Sequence, residues 1–295
     1  MRSYKQVPKK LVTDVNVTLG SPGTVSKILW HFTGGPMWNL AKGRQHEIPK
    51  PAKEAYQNLK SILKDREIRL GNYRNVVRVV VPKLRKYNSQ RKRVDTLVNF
   101  AIDIESSPVC CLADIPAPHL RYHSYRYGKF AIGFRRESVI DHGFNPVFYT
   151  LEDTPIIRSI YEGFSSLDSV DPLDIANAVG DMEASDIEDD EMNLDFISSE
   201  TDILQSTLGQ ARQSLQDFVA FVKTFSRTEF ATIYCEREWR STKPYRFTVD
   251  DVAMIVLPNE VNSHRYFAEL ANYSMKSLEL PRRIPIIPWE DLVEQ

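Results

Sequence analysis

The sequence predicts an α+β fold, with a mixed or antiparallel sheet core and packed helices. Three observations carry the prediction. Short β-branched or alternating segments recur from residue 26 to residue 288, one long run near residue 210 steps by threes and fours, and strand and helix signals mix along the chain. Residues 1–24 read as an irregular arm closed by the turn signal Ser21-Pro22-Gly23. Residues 25–295 read as a single α+β domain with an acidic, mobile insertion at 168–202.

Taken in order, residues 26–32 form a short element ending near His31 and followed by Phe32-Thr33-Gly34-Gly35. A lysine-rich helix around 52–65 follows, because Ala55, Leu59, Ile62 and Leu63 share one face. Residues 76–81 are almost all valine and stop at Pro82, the pattern of a strand. Residues 83–93 then read as a basic connection. Strands are expected at 109–112, 129–134 and 146–150, with helix over 151–166. Leu204, Leu208, Ala211, Leu215, Phe218, Val222 and Phe225 line one face of a helix over six turns. Residues 229–240 alternate as a strand, which puts Glu236 and Glu238 on one face; 252–257 and 284–288 complete the sheet. No internal repeat is present.

The chain of 295 residues has a formal net charge of −1, and that near-neutrality conceals a strong asymmetry. Residues 168–202 hold thirteen Asp or Glu and no Lys or Arg, and the first hundred residues hold 21 Lys or Arg against six Asp or Glu. An acidic stretch beside a basic body is either a solvated loop or a cover for a basic groove. No apolar run reaches the roughly 18–20 residues of a membrane span, and Met1-Arg2-Ser3-Tyr4-Lys5 opens no secretory signal. Three cysteines make no disulfide framework. A cytoplasmic protein without membrane contact is expected.

Three remote segments carry candidate chemistry, each expected at the edge of a strand: Trp30-His31-Phe32-Thr33-Gly34-Gly35, residues 122–128 with three tyrosines, and Tyr234-Cys235-Glu236-Arg237-Glu238-Trp239-Arg240. Glu236 and Glu238 suit a ribose hydroxyl and an acceptor, a divalent metal, or acid–base work; they also suit a solvated face neutralised by nearby arginines. His31 suits a ribose hydroxyl, with the glycines letting a ligand near the backbone, or a satisfied core histidine. Tyr125 and Tyr127 suit stacking on a flat ring, or sealing a sheet edge. Arg91-Lys92-Arg93, in a basic run, suits nucleic acid or a solvated surface. Cys110, Cys111, His119 and His123 are a poor zinc set, since adjacent cysteines rarely share one tetrahedral ion, and no metal is expected. Walker, G-x-G-x-x-G and G-x-S-x-G motifs are absent.

His31-Phe32-Thr33, Cys111-Leu112-Ala113-Asp114-Ile115-Pro116 with His119 and His123, Tyr127-Gly128-Lys129-Phe130-Ala131-Ile132-Gly133-Phe134, Asn145-Pro146-Val147-Phe148-Tyr149 and Glu236-Arg237-Glu238-Trp239-Arg240 together resemble the bacterial AbiGi-type abortive-infection proteins. The resemblance implies phage resistance and a role as antitoxin to a toxin or other defence partner. A further resemblance, to the ADP-ribosyltransferase fold, implies NAD as substrate and a macromolecular ADP-ribose acceptor, or hydrolysis of NAD. On that resemblance His31 holds the ribose, Thr33 joins the cofactor-binding set, and one of Tyr125 or Tyr127 stacks the nicotinamide. Glu238 stabilises an oxocarbenium-like centre and Glu236 orients the acceptor. The alternatives are a non-catalytic partner that binds protein or nucleic acid, and a metal-dependent nuclease using Asp114 with Glu236 or Glu238.

Overall fold

The computed structural model describes residues 26–36, 38–39, 44–45, 48–70, 74–88, 92–168, 190–229, 233–274, 278, 280–281 and 284–293. The expected arm at 1–24 lies outside them. Strands β1 (Ile28–Phe32), β7 (Cys110–Ala113), β8 (Ala131–Arg135), β9 (Asn145–Pro146), β12 (Glu238–Ser241), β14 (Val252–Leu257) and β15 (Ile286–Pro288) form a seven-stranded sheet. Its order is β15-β14-β8-β1-β7-β12-β9, antiparallel except between β14 and β15. With helices packed on it, this is the α+β class the sequence predicts.

Alternation along these strands feeds two cores, one on each face of the sheet. Leu29, Leu112, Ile132 and Phe134 face helix α1 (Ala52–Asp65), whose Ala55, Tyr56, Leu59 and Leu63 are buried as the sequence pattern requires. Trp30, Ala113, Ala131 and Val256 face the other way, toward Leu120 of helix α2 (Leu120–Tyr127) and Trp289 of the C-terminal helix at 289–293.

A third core lies beside the sheet. Strands β5 (Arg74–Asn88) and β6 (Arg93–Pro108) form a long hairpin. Its base packs Val77, Val79, Val81 and Ile104 against Ile157 and Ile160 of the helix at 155–168, Val219 of the helix at 190–219, and Val222. Strands β10 (Phe148–Leu151) and β11 (Val222–Phe225) run parallel to each other and belong to this second layer. Asn75 donates to Val222 O (2.5 Å), and Thr224 Oγ1 accepts from the Arg78 N–H (3.0 Å).

Several expectations are corrected. Pro82 does not end β5: the ladder steps from Val81↔Phe100 to Lys83↔Val98, so the missing N–H falls where no bonded pair is formed, opposite Asn99 at φ 50°. Within the basic connection expected over 83–93, residues 83–88 and 93 are therefore strand, and 89–91 lie outside the described residues. Residues 122–127 are helix rather than strand edge. The helix expected over 204–225 starts earlier, at Asp190, and stops at Val219, because Val222-Lys223-Thr224-Phe225 pairs as β11. Residues 190–202 of the acidic segment are thus helical, and 169–189 lie outside the described residues.

Candidate functional site

The sheet opens at its centre. β1 pairs with β8 over five residues but with β7 at one position only, Trp30↔Ala113. Beyond that pair the ladder does not continue to His31 and Leu112 or to Phe32 and Cys111, and a cavity of about 520 Å³ is lined by residues of both strands. That volume lies in the range of small-molecule sites. His31, Thr33, Tyr127, Glu236 and Glu238 all line it, while Tyr125 does not and is 71% exposed. Of the two tyrosines the sequence offers, Tyr127 alone belongs to the site.

His31 bridges the open seam. Its Nδ1 lies 3.1 Å from Cys111 O, and a carbonyl only accepts, so the ring proton sits on Nδ1 and Nε2 is left as an acceptor. Burial lowers the imidazole pKa below its ordinary value, overriding the carbonyl bond that raises it. Thr33 lines the cavity with its hydroxyl already committed, donating to Ala55 O of α1 at 2.8 Å. That bond ties the end of β1 to the helix and uses the hydroxyl proton, so toward a ligand the oxygen offers acceptor capacity alone. Gly35 lines the cavity, whereas Gly34 does not. A Cβ on Gly34 would stand 2.9 Å from Tyr127 O and 3.2 Å from Ala55 Cβ, so Gly34 serves close packing of β1, α1 and α2.

Tyr127 ends α2, where Gly128 at φ 76° terminates the helix. Its ring stacks on His123 at 4.2 Å and 22°, and His123 lies 4.8 Å from Phe32. Burial drives the His123 pKa down to about 3, so the stack is neutral. Burial, reinforced by Glu236, pushes the Tyr127 phenol well above its usual range, so it is a donor; its hydroxyl stands 3.4 Å from Glu236 Oε1.

Glu236 and Glu238 do not share an extended strand. Glu236 closes a 3₁₀ turn (Tyr234–Glu236), Arg237 takes φ 42°, and only Glu238 opens β12. Both carboxylates nevertheless converge on Lys223 of β11, which contacts Glu236 and lies 3.0 Å from Glu238. Arg240 grips Glu238 bidentately, at 3.0 Å through Nε and 2.9 Å through Nη2, and donates through Nη1 to Ala220 O at 2.7 Å. Burial opposes ionisation of Glu238, but Arg240 and Lys223 overcome it and hold the carboxyl well below the usual range. Tyr149 of β10 accepts from the Glu238 N–H at 2.7 Å. Arg126 stands 3.6 Å from Glu236.

The remaining expected residues fall elsewhere. Asp114, weighed as a nuclease carboxylate, is buried and clamped by Arg136 (2.8 Å) and Arg237 (3.2 Å). Lys92 and Arg93 lie exposed at the hairpin tip, Arg93 paired with Asp95, and Arg91 is outside the described residues. Among the described residues no group of three His, Cys, Asp or Glu is placed to hold a metal. Sequence reasoning missed Lys223 and Tyr149. Lys223 sits inside an apparent helical period, and nothing local marks it.

The family described as "Putative abortive phage resistance protein AbiGi, antitoxin" matches residues 74–290. The chain belongs to the AbiGi family. Tyr127, Lys223, Glu236, Glu238 and Arg240 lie within the matched region, whereas His31 and Thr33 precede it. Neither the curated proteins nor the solved structures provide a match. AbiGi is thereby tied to phage resistance by abortive infection, and the designation antitoxin implies a cognate toxin. No helix among the described residues is long and apolar enough to cross a membrane.

Proposed function

We propose that this AbiGi protein binds NAD in the cavity between β1 and β7 and cleaves its nicotinamide–ribose bond, passing ADP-ribose to a macromolecular acceptor or to water. One observation carries the reading: a neutral imidazole, a phenol ring and two carboxylates from remote parts of the chain line one cavity of about 520 Å³. His31 Nε2 accepts from a ribose hydroxyl, and the Tyr127 ring supplies a flat stacking surface. Glu238, ionised and fixed by Arg240, offers negative charge to the ribose carbon as positive charge develops there. Glu236 orients the incoming acceptor. The bond from the ribose carbon to the nicotinamide nitrogen breaks, nicotinamide leaves as the neutral base, the acceptor's oxygen or nitrogen bonds that carbon, and the acceptor's proton passes to Glu236 and on to water.

A second reading has its own support. Lys223 and Arg240 neutralise both carboxylates, as an ion-pair network with a structural role would. On that reading the chain is a non-catalytic antitoxin that acts by contact with its toxin or with nucleic acid. Calorimetry with NAD and chromatographic detection of released nicotinamide separate the two. Binding and release by the wild type, with affinity lowered at least tenfold in Tyr127→Leu, support the enzyme. Folded wild type that neither binds millimolar NAD nor releases nicotinamide leaves the antitoxin reading standing.

A further inference from the structure

The cations that line the cavity differ in what they face. Arg69 lies 3.0 Å from Asp65 and 3.6 Å from Glu67, Arg126 faces Glu236, and Lys223 bridges Glu236 and Glu238. Lys50 lines the same cavity and, among the described residues, has no carboxylate within ion-pair distance.

Its backbone is held firmly. Pro49 and Pro51 flank it, fixing φ on either side and pushing Lys50 itself away from helical angles. Pro51 has φ −54° and ψ 144°, and the Lys50 N–H donates to Gly34 O at 2.9 Å. A long flexible side chain thus starts from a fixed point, bonded through its backbone to Gly34 and close in the chain fold to the lining residue Gly35. Its charge is felt at the neighbouring imidazole, where it helps to lower the His31 pKa after burial has done most of that work. A lining cation with a fixed base and no counterion among the described residues is suited to an anionic group on the ligand.

We propose that Lys50 is the anchor of an anion subsite in this cavity, and that the group it takes is a diphosphate. The subsite stands on the charge pattern alone; assigning the diphosphate to NAD rests on the function proposed above. Lys50 neighbours His31 on the cavity wall, so a ribose held at His31 would lead its phosphates toward the ammonium.

The test uses inorganic pyrophosphate and ADP-ribose as probes on the full chain, with calorimetry at low and at 0.3 M salt. Wild type should bind both, more weakly at high salt. Lys50→Gln should lose at least tenfold in affinity for each, the scale of one charge-assisted contact, and Lys50→Arg should restore most of it. Nicotinamide, which carries no phosphate, should bind wild type and Lys50→Gln alike. Equal pyrophosphate and ADP-ribose affinities in wild type and Lys50→Gln would overturn the proposal, as would absence of pyrophosphate and ADP-ribose binding in wild type. Pyrophosphate binding that depends on Lys50, without nicotinamide release from NAD, would uphold the anion subsite while refuting the enzymatic reading. Circular dichroism of Lys50→Gln should match wild type, since the bond from the Lys50 N–H to Gly34 O belongs to the backbone and survives the substitution.

Discussion

Replacing Glu238 by Gln tests whether the charged cluster holds the fold together. The side chain is 12% exposed, Arg240 is fully buried and Lys223 is 14% exposed. Glu236, Glu238, Lys223 and Arg240 sum to zero charge, so Glu238→Gln leaves one uncompensated buried cation and turns an amide NH₂ toward the guanidinium fork. Breaking a buried ion pair from one side costs about 3–5 kcal/mol. With a urea m value of about 3 kcal/mol/M, the unfolding midpoint should fall by roughly 1–1.7 M. Arg240→Met alone should also destabilise, and the double variant should lose less than the two singles summed. The acid dependence has a definite sign. A carboxyl held below its unfolded pKa stabilises the fold above that unfolded value and loses its contribution as pH falls through the folded one. The gap between wild type and Glu238→Gln should therefore shrink below about pH 4.5. A midpoint within 0.3 M of wild type at neutral pH would refute the reasoning. Activity lost by this variant is interpretable only below its own unfolding midpoint.

His123, held neutral with a pKa of about 3, favours the fold above its unfolded pKa near 6.5 and loses that contribution as pH falls from there toward 3. Between pH 6.5 and 5 stability should drop by about 1.6 kcal/mol for this group, with His31 acting in the same direction, and His123→Phe should flatten the slope of stability against pH by about one proton near pH 5. Thr33→Val should cost about 1–2 kcal/mol by urea denaturation while leaving NAD affinity unchanged; a selective loss of affinity would reinstate the hydroxyl as a ligand contact. Gly34→Ala should lower stability by about 1–3 kcal/mol, because its methyl meets a backbone oxygen rather than a side chain that can swing aside. Thermal unfolding that leaves its midpoint unchanged would show that α2 yields at no cost.

Much of the main sheet is legible in the sequence because its strands are buried and punctuated. The run at 252–257 and the helix at 52–65 need only periodicity to be found. The hairpin is harder. Val94, Val98, Phe100, Ile102 and Ile104 do alternate, but Pro82 across from them reads as a stop, and only the pairing register reveals that its absent N–H is harmless. Helix α2 is obscured because its cationic and aromatic residues suit several conformations, and its packing against Phe32 decides between them. In the site, His31, Tyr127, Glu236 and Glu238 can be named from local chemistry. Lys223 and Tyr149 cannot, since their importance comes from β10 and β11 crossing to meet β12. Val147 alone separates β9, paired with β12, from β10, paired with β11, and its N–H donates to Glu238 O at 2.9 Å.

Because Lys223 is delivered by β11, which lies outside the seven-stranded sheet, the cavity is a joint product of the two layers. The central sheet formed alone would hold two carboxylates near each other with Arg240 but without the ammonium that lies between them, and like charges would drive them apart. Docking of the second layer therefore completes the electrostatics of the first. Loosening the contact between Asn75 and Val222, whose chain neighbour Lys223 lines the cavity, should be felt there as a change in ligand affinity before any strand of the central sheet unravels.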